Sequence, residues 1–326
     1  RTLMAYQPGI RIPYYSNPKE FDLDLYKKTF AHQISSNKCC QRFPRATCKA
    51  DTHPGLSDYQ FWHTSVVEKS ITDVDPVVKP DFVLKSSDRI ASAGSCFAQH
   101  ITNALKSSDY KYLVTEIAPK TISKGRAKIL NYGTFSARYG NLYTARQLIQ
   151  LFERAYDELH PVDNVWSRRD GKYVDPFRPR IEPTGFATEK QVELSREIHL
   201  SAVRKMFEEL DVFIFTLGLT ETWKSNIDGA VFPVAPKVVT DSIEISQYSF
   251  IIFSSLDVKN DLLKFMQMLN KKNPTARMIL TVSPVPLMLT YEDRSVVTST
   301  CYSKSALRVA AEEVCQLEPN IAYFPS

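Results

Sequence analysis

Two nucleophilic side chains, Ser95 and Cys96, stand next to each other in the turn Gly94-Ser95-Cys96. The apolar run 90–93 precedes this turn, and apolar residues at helical spacing follow it: Phe97, Ile101 and Leu105. A strand that ends in a glycine turn and feeds a helix exposes a side chain at the carboxyl edge of a sheet. The free N–H groups of the helix can then bind an anion. This pattern predicts a nucleophile for acyl chemistry.

The residue types favour Cys96 over Ser95 as the nucleophile. The thiolate is the reactive form of cysteine, and the positive end of a helix favours that form. A serine in the same position needs a base to remove its proton. Two alternatives stay open: Cys96 is only a small buried side chain behind the turn, or Ser95 is the nucleophile.

Continuous apolar runs predict buried strands at 88–93, 211–217 and 277–282. Helical periodicity predicts helices at 141–158, 196–210, 256–270 and 303–317. Such alternation predicts an α/β fold, a three-layer α/β/α sandwich around a central, mostly parallel sheet. Residues 1–80, rich in Pro, Tyr, Lys and Cys, are expected to form an irregular extension that packs on the α/β domain 81–326. The proline-rich insertion 160–190 is expected to cover the pocket.

Composition narrows the class of protein and its partners. The chain of 326 residues is 43% apolar and 24% charged, as in ordinary soluble proteins, and no apolar run is long enough for a membrane span. The net charge of +5 is spread out, which argues against a nucleic-acid partner. The densest basic group is expected to be a solvated loop: Arg168, Arg169, Arg178 and Arg180.

The six cysteines indicate the compartment and argue against a metal site. Few cysteines in a long chain are typical of reduced thiols, so a cytoplasmic location is expected. No Cys-x-x-Cys pair is present, so neither a metal site nor a cofactor is predicted. The chain begins and ends abruptly, so it is expected to be one part of a larger multidomain protein.

The stretch from Gly94 to Ala98, Gly-Ser-Cys-Phe-Ala, resembles the GSCFA domain family, a bacterial group similar to the SGNH (GDSL-type) esterases and acyltransferases. Further segments resemble that family in the same order: 139–148, 175–179, 215–223, 281–287 and 302–308. The resemblance covers residues 58–326. It implies an SGNH-like fold and chemistry on small acyl esters.

The SGNH pattern also implies roles for individual residues. Its nucleophile stands in Gly-Asp-Ser, which matches Cys96 or its neighbour Ser95. Its Gly-x-Asn-Asp block falls on 218–221, where Thr220 occupies the place of the donating asparagine. Roles in an oxyanion hole or in substrate binding are therefore implied for a set of loop residues: Gly140, Asn141, Gly218, Thr220 and Glu221.

The base of such a site is missing from the expected place. An Asp-x-x-His motif near the C-terminus supplies acid and base in the SGNH group. Here the nearest match runs from Glu292 to Ser295, with Ser295 where the family commonly has histidine, and no histidine follows His199. A serine does not accept a proton at neutral pH as imidazole does.

Several substitutes for the base stay open. His100 stands one helical turn after Cys96, although a packed or solvent-facing histidine fits its position equally well. Glu221 could act as a carboxylate base or pair with an arginine such as Arg308. The segment 302–305 is expected at a helix start, with Ser303 as a cap, and its spacing does not match a Ser-x-x-Lys hydrolase.

Two functions are therefore predicted as alternatives. The first is an SGNH-like ester hydrolase or O-acyltransferase that acts on a small-molecule or carbohydrate ester, for example of a bacterial polysaccharide. The second is a catalytically degenerate module that keeps the pocket and binds a ligand or a glycan. A purely structural domain of a larger protein is a third, weaker alternative.

Overall fold

The computed structural model describes residues 55–78 and 80–325. The chain divides into two compact units, residues 1–75 and 76–326. In the first unit, the described residues form short turns of 3₁₀- and π-helix: Asp58–Gln60, His63–Val67 and Ile71–Asp73. Most of the extension predicted at 1–80 lies outside the described residues, so its packing on the core stays a prediction.

A parallel sheet of five strands forms the centre of the second unit. Its strands are β1 (Arg89–Gly94), β2 (Lys111–Tyr112), β5 (Val212–Leu217), β9 (Arg277–Val282) and β10 (Ile321–Tyr323). Their order across the sheet is β10-β9-β5-β1-β2. Gly94 pairs with Thr216, and Leu217 pairs with Val282, so the carboxyl ends of β1, β5 and β9 meet at one edge.

Helices cover both faces of this sheet. They are α1 (Ala98–Lys106), α2 (Lys124–Ile129), α3 (Ala145–Ala155), α4 (Glu189–Glu209), α5 (Pro236–Val239), α6 (Ser255–Lys272) and α7 (Val296–Leu317). Because strand side chains alternate, Phe213 packs with α4 and α6 on one face. Ile214 packs with Leu105 of α1 on the other. The predicted α/β sandwich is confirmed. None of the described helices is both long and apolar enough to cross a membrane.

Capping residues explain where the observed helices begin. α3 begins four residues after the predicted start, because Thr144 accepts a hydrogen bond from the Gln147 N–H and caps it. α4 begins earlier than predicted, after the cap Thr188. α7 also begins earlier, because Ser295 caps it. The prediction that Ser303 caps a helix is therefore wrong, and Ser303 lies inside α7.

A second sheet is antiparallel and has no counterpart in the sequence-based prediction. It contains β6 (Glu221–Ser225), β7 (Val231–Phe232) and β8 (Tyr248–Ile252), in the order β7-β6-β8. The turn between β6 and β7 includes Asp228-Gly229, with Gly229 at a φ of +76°. Asp-Gly in such a turn is a recognised hairpin signal. Its first strand in sequence, β6, follows shortly after the carboxyl end of β5.

The insertion 160–190 contains the hairpin β3 (Trp166–Ser167) and β4 (Tyr173–Val174) and a buried ionic network. Arg178 donates from Nε to Asp175 at 3.0 Å, and both side chains are fully buried. Burial raises the pKa of Asp175, but the charges of Arg178, Arg196 and Arg154 outweigh it and lower the pKa to about 2. The expectation of a solvated loop is therefore wrong for Arg178.

Gly94, the last residue of β1, has no room for a side chain. Its φ is +146°, a region that residues with a Cβ rarely adopt. A Cβ added there would stand 2.5 Å from the backbone oxygen of Thr216 in β5. The two central strands therefore approach each other closely where the candidate nucleophiles follow.

We expect Gly94→Ala to lower the free energy of unfolding by roughly 2–4 kcal/mol, because the methyl group meets rigid backbone and the φ angle becomes strained. Urea denaturation monitored by circular dichroism measures this change. Gly125→Ala is the matched control. Gly125 lies in α2 with open space around it, so the same substitution should be neutral or stabilise by up to about 1 kcal/mol. Equal effects of the two substitutions would contradict the close approach.

Candidate active site

The two adjacent nucleophiles have opposite environments. Cys96 is an exposed, free thiol, whereas Ser95 is only 3% exposed. The Ser95 hydroxyl has no hydrogen-bond partner among the described residues. The Ser95 side chain packs against Gly218, where an added Cβ would stand 3.0 Å from the Ser95 Cβ. Of the two side chains, only that of Cys96 can be reached from solvent.

Backbone donors surround Cys96 at the start of α1. The Ser95 N–H donates to Thr216 at 3.3 Å, and the Ala98 N–H donates back to Ser95 at 3.0 Å. The N–H groups of Cys96 and Phe97 between them donate to no acceptor within the described part of the chain. Two adjacent free N–H groups at a helix start can stabilise an oxyanion.

The loop before α3 lies directly beside this turn. The Leu142 N–H donates to the Gly94 carbonyl at 2.9 Å, and the N–H of Gly218 donates to the Tyr143 carbonyl at 2.9 Å. The side chain of Asn141 accepts from Gln99 of α1 at 3.4 Å and donates to the Tyr143 hydroxyl at 3.0 Å. The sheet edge thus brings the loops 139–143 and 217–220 to the turn, as the sequence analysis expected.

Gly140 and Gly218 have different roles in this arrangement. Gly140 has a φ of +69° and open space around it. Its N–H and that of Asn141 donate to no acceptor among the described residues, so both can serve a ligand. The Gly218 N–H is already used by Tyr143, and an added Cβ at Gly218 would also meet Tyr143 at 3.2 Å. Gly218 therefore acts through close packing.

Thr220, assigned to the oxyanion hole from the SGNH pattern, is completely buried. Its N–H donates to the Ser303 hydroxyl at 3.0 Å, and its carbonyl accepts from the Phe253 N–H at 2.8 Å. Its own hydroxyl is inaccessible and has no partner among the described residues. Thr220 therefore connects β5 to α7 and does not present a donor to solvent.

Lys304 is an ionisable residue close enough to Cys96 for the two side chains to interact electrostatically. Its Nζ donates to the Gly218 carbonyl at 2.5 Å. Burial lowers the pKa of Lys304 to about 8, while the charge of the nearby Cys96 opposes this shift. A lysine with such a pKa is partly neutral near physiological pH and can accept a proton.

Lys304 is not predicted as a base by its local sequence, because the segment 302–305 is expected at a helix start and does not match Ser-x-x-Lys spacing. In the structure, Lys304 lies inside α7, about two and a half turns after the cap Ser295. It meets Gly218, which is 86 residues away in sequence, and no local pattern reports such a contact.

The histidines considered as substitutes do not pair with the nucleophiles. His100 is exposed, and its ring packs 5.9 Å from the ring of Phe97. His199 is buried, with Nδ1 2.7 Å from a Glu116 carboxylate oxygen. Burial lowers the pKa of His199 to about 4, so this ring stays neutral at physiological pH. Among the described residues, no histidine forms a hydrogen bond with Ser95 or Cys96.

Glu221 and Glu292 form a separate acidic pair. The Thr290 hydroxyl donates to Glu221 at 2.8 Å and accepts from the Glu292 N–H at 3.1 Å. Burial raises the pKa of Glu221, and the charge of Glu292 adds to this rise. Arg294 forms an ion pair with Glu292 at 2.6 Å. Within the described chain, neither carboxylate forms a hydrogen bond with Cys96 or Ser95.

Ser295 and Arg308, two further residues considered from the sequence, have other partners in the structure. Ser295, at the expected histidine position, is exposed and accepts from the Val297 N–H at 3.3 Å as the cap of α7. Arg308 pairs with Glu312 at 2.8 Å, so the alternative of a Glu221–Arg308 ion pair is wrong. The Glu292–Ser295 segment therefore starts a helix and adds an ion pair.

A cavity of about 140 Å³ opens beside the turn. It is lined by Gln99 of α1, by the loop residues Gly140 and Asn141, and by the insertion segment 177–181. A wider, more open groove of about 550 Å³ is lined by Glu116, Arg138 and Lys172, and the two have no described lining residue in common. Through Gln99 and Gly140, the smaller cavity adjoins the segments on either side of the turn that carries Cys96, although Cys96 itself is not among its lining residues.

Comparison with known proteins gives a family and no named relative. No curated protein and no solved structure matches the chain. The family model described as GSCFA family matches residues 89–326, well over half of the chain. This match begins at β1, includes the turn with Cys96 and extends through α7, which carries Lys304. The chain belongs to the GSCFA family.

Proposed function

We propose that this protein transfers or hydrolyses a small acyl ester through a covalent thioester on Cys96, with Lys304 as the base. The observation that carries the proposal is the exposed thiol at the start of α1, next to a lysine whose pKa burial lowers to about 8. This pair replaces the serine and histidine of the SGNH pattern. An SGNH-like ester hydrolase or O-acyltransferase is the activity class that fits it.

The first half of the reaction forms the thioester. The Cys96 thiol gives its proton to neutral Lys304, and the thiolate attacks the acyl carbonyl carbon. The resulting oxyanion accepts hydrogen bonds from the free N–H groups of Cys96 and Phe97, with Gly140 across the turn as a further donor. When the intermediate collapses, the alcohol leaves and takes the proton back from Lys304.

The second half of the reaction releases the acyl group. Water or an acceptor alcohol loses its proton to Lys304 and attacks the thioester carbonyl. The thiolate of Cys96 then leaves and regains the proton from Lys304. Water as the acceptor gives an esterase, and a carbohydrate hydroxyl gives an O-acyltransferase. Protons and acyl group balance over the cycle without a cofactor.

Two observations favour a second candidate, a module that binds the ligand without turnover. The hydroxyls of Ser95 and Thr220 are inaccessible, and the Gly218 N–H is already bonded, so these SGNH groups do not face a ligand. A degenerate SGNH-like site would keep the cavity and lose these donors. The chemistry of Cys96 distinguishes the two candidates.

Cys96→Ala should abolish turnover of 4-nitrophenyl acetate, because no other accessible nucleophile lies at this turn. We expect wild-type protein to release nitrophenol and to carry an acetyl group on the Cys96 peptide, detected by mass spectrometry after acid quenching. The rate should fall by at least about 10³-fold in the variant.

Cys301→Ala is the matched control, because Cys301 is also an exposed, free cysteine but lies in α7 and not in the turn 94–96. It should retain wild-type activity. Ser95→Ala should also retain activity if the structure is unchanged. Loss of activity in Ser95→Ala with Cys96→Ala still active would transfer the role to the serine, and absence of acylation in wild type would favour the binding module.

The rate of Cys96 alkylation should rise with pH as Lys304 loses its proton, because burial lowers the pKa of Lys304 to about 8 and only neutral Lys304 accepts the thiol proton. Lys304→Met should lower the alkylation rate by iodoacetamide at pH 7 by about tenfold and move the midpoint to higher pH. Peptide-resolved mass spectrometry between pH 6 and 10 measures both quantities. A Lys304→Met profile identical to that of wild type would exclude Lys304 as the base.

Lys271→Met is the control for Lys304→Met, because Lys271 is an exposed lysine in the last turn of α6. It removes the same charge from the molecule without touching the Gly218 carbonyl. Its pH profile should match that of wild type. A shift equal to that of Lys304→Met would attribute the effect to net charge alone.

A further inference from the structure

The smaller cavity adjoins the turn that carries Cys96. Gln99 lines the cavity, and its N–H donates to the Cys96 carbonyl at 3.2 Å. Gly140 and Tyr143 line it as well, and Tyr143 contacts the Gly218 peptide to which Lys304 donates. Of the groups assigned to the chemistry, Gly140 therefore borders this cavity directly, and Gln99 connects it to Cys96.

The size of the cavity limits what it can hold. Its volume is about 140 Å³. A cavity of about 150 Å³ is large enough for benzene, a molecule of about six heavy atoms. This space fits a short acyl chain and is too small for a whole sugar residue with its linkages. The alcohol part of an ester would then extend outward into solvent.

The lining of the cavity is apolar on one side and basic on the other. Phe135, Tyr139 and Phe177 are buried aromatic residues that contribute the apolar side. Arg178 and Arg180 also line it, and none of the described lining residues is Asp or Glu. The cavity therefore combines an apolar surface for methylene groups with an excess of positive charge.

The two arginines differ in how their charge is balanced. Arg178 is buried and is paired with Asp175. Arg180 is exposed at the cavity and has no ion pair or side-chain hydrogen bond with the described residues, although its carbonyl accepts from Asn131. The charges of Arg154, Arg178 and Arg196 act on Asp175, and Arg178 also acts on the carboxylate of Glu116, so three arginines stand against two carboxylates in this buried network. The region thus favours an added anion near Arg180.

We propose that the cavity binds the acyl chain of a half-ester, in which the acyl group ends in a second, free carboxylate, and that Arg180 pairs with that carboxylate. The inference rests on the proposed function for its acyl chemistry. Gln99 and Gly140 connect the lining of the cavity to the turn that carries Cys96, and a four-carbon dicarboxylic chain is short enough for a space of this size. The Gln99–Asn141 pair borders the ester end, and the guanidinium binds the distal end.

Two measurements test the inference, one of them without turnover. Monomethyl succinate carries the free carboxylate, and dimethyl succinate masks it. The monoester should protect Cys96 from iodoacetamide at a concentration at least about fivefold lower than the diester. Arg180→Gln should remove this difference, and so should 1 M NaCl, because salt screens an exposed ion pair. The second measurement compares kcat/KM for mono-4-nitrophenyl succinate and 4-nitrophenyl methyl succinate.

The control and the outcomes separate the inference from the proposed function. Arg308→Gln removes an exposed arginine of α7 that is paired with Glu312, and it should retain the preference for the anion. Cys96-dependent turnover with equal kcat/KM for both esters would overturn the inference and leave the proposed function standing. Anion-selective protection lost in Arg180→Gln, without turnover, would support the anion site and contradict the catalytic proposal. Equal protection by the two esters would overturn the anion site.

Discussion

A close backbone approach lies where β1 and β5 end, and the candidate site depends on it. Gly94 abuts the Thr216 carbonyl, and Gly218 lies between the Ser95 side chain and Tyr143. A side chain at either glycine would push these segments apart. Because both positions lack a Cβ, three loops from distant parts of the sequence converge on one point at the edge of the sheet.

This convergence also decides which nucleophile faces solvent. Ser95 follows Gly94 directly and points toward the Gly218 peptide, where it is buried. Cys96, one residue further along the turn, is exposed at the start of α1. The Gly218 carbonyl, on the other side of the same peptide segment, accepts from Lys304. The Gly218 peptide thus contacts both the buried Ser95 side chain and Lys304, and it helps to position both groups.

A second constraint is the burial of charge in the insertion. Asp175 and Arg178 are fully buried, and removing either partner would leave an uncompensated charge, which costs several kcal/mol. Such a pair therefore fixes the segment 175–178 in one conformation. The next residues, 179–181, line the cavity beside Cys96. The ionic pair accordingly gives a proline-rich segment, which lacks regular secondary structure, a defined position near the site.

The sequence patterns anticipated the central strands well and the long-range polar contacts poorly. The apolar run 211–217 and the run 277–282 match β5 and β9 to within a residue, because burial on both faces leaves a continuous hydrophobic signal. The observed starts of α3 and α7 differ from the predicted ones, because Thr144 and Ser295 cap these helices. The burial of Arg178 could not be predicted, because the segment around it has the composition of a loop. Arg178 is buried because the fold encloses it together with its partner Asp175.

The environment of Lys304 could likewise not be predicted from the local sequence. The local sequence shows a lysine in a helix, and its lowered pKa arises only when α7 packs beside the end of β5. The SGNH pattern predicts a histidine base near Ser295, whereas the ionisable side chain that the structure brings near the Cys96 turn is Lys304, from later turns of the same helix.

Under the proposed function, a thiol nucleophile and an amine base suit each other chemically. Burial lowers the pKa of Lys304 to about 8, so more of this amine is neutral near physiological pH than of an ordinary lysine, and the neutral amine can accept the thiol proton. A serine hydroxyl is a far weaker acid, and such an amine would rarely deprotonate it without further help. Under the proposed function, a lysine base therefore gains from a thiol as its partner. The exposed cysteine and the half-buried lysine would then form a matched pair, and the neighbouring serine could be buried without loss to the chemistry.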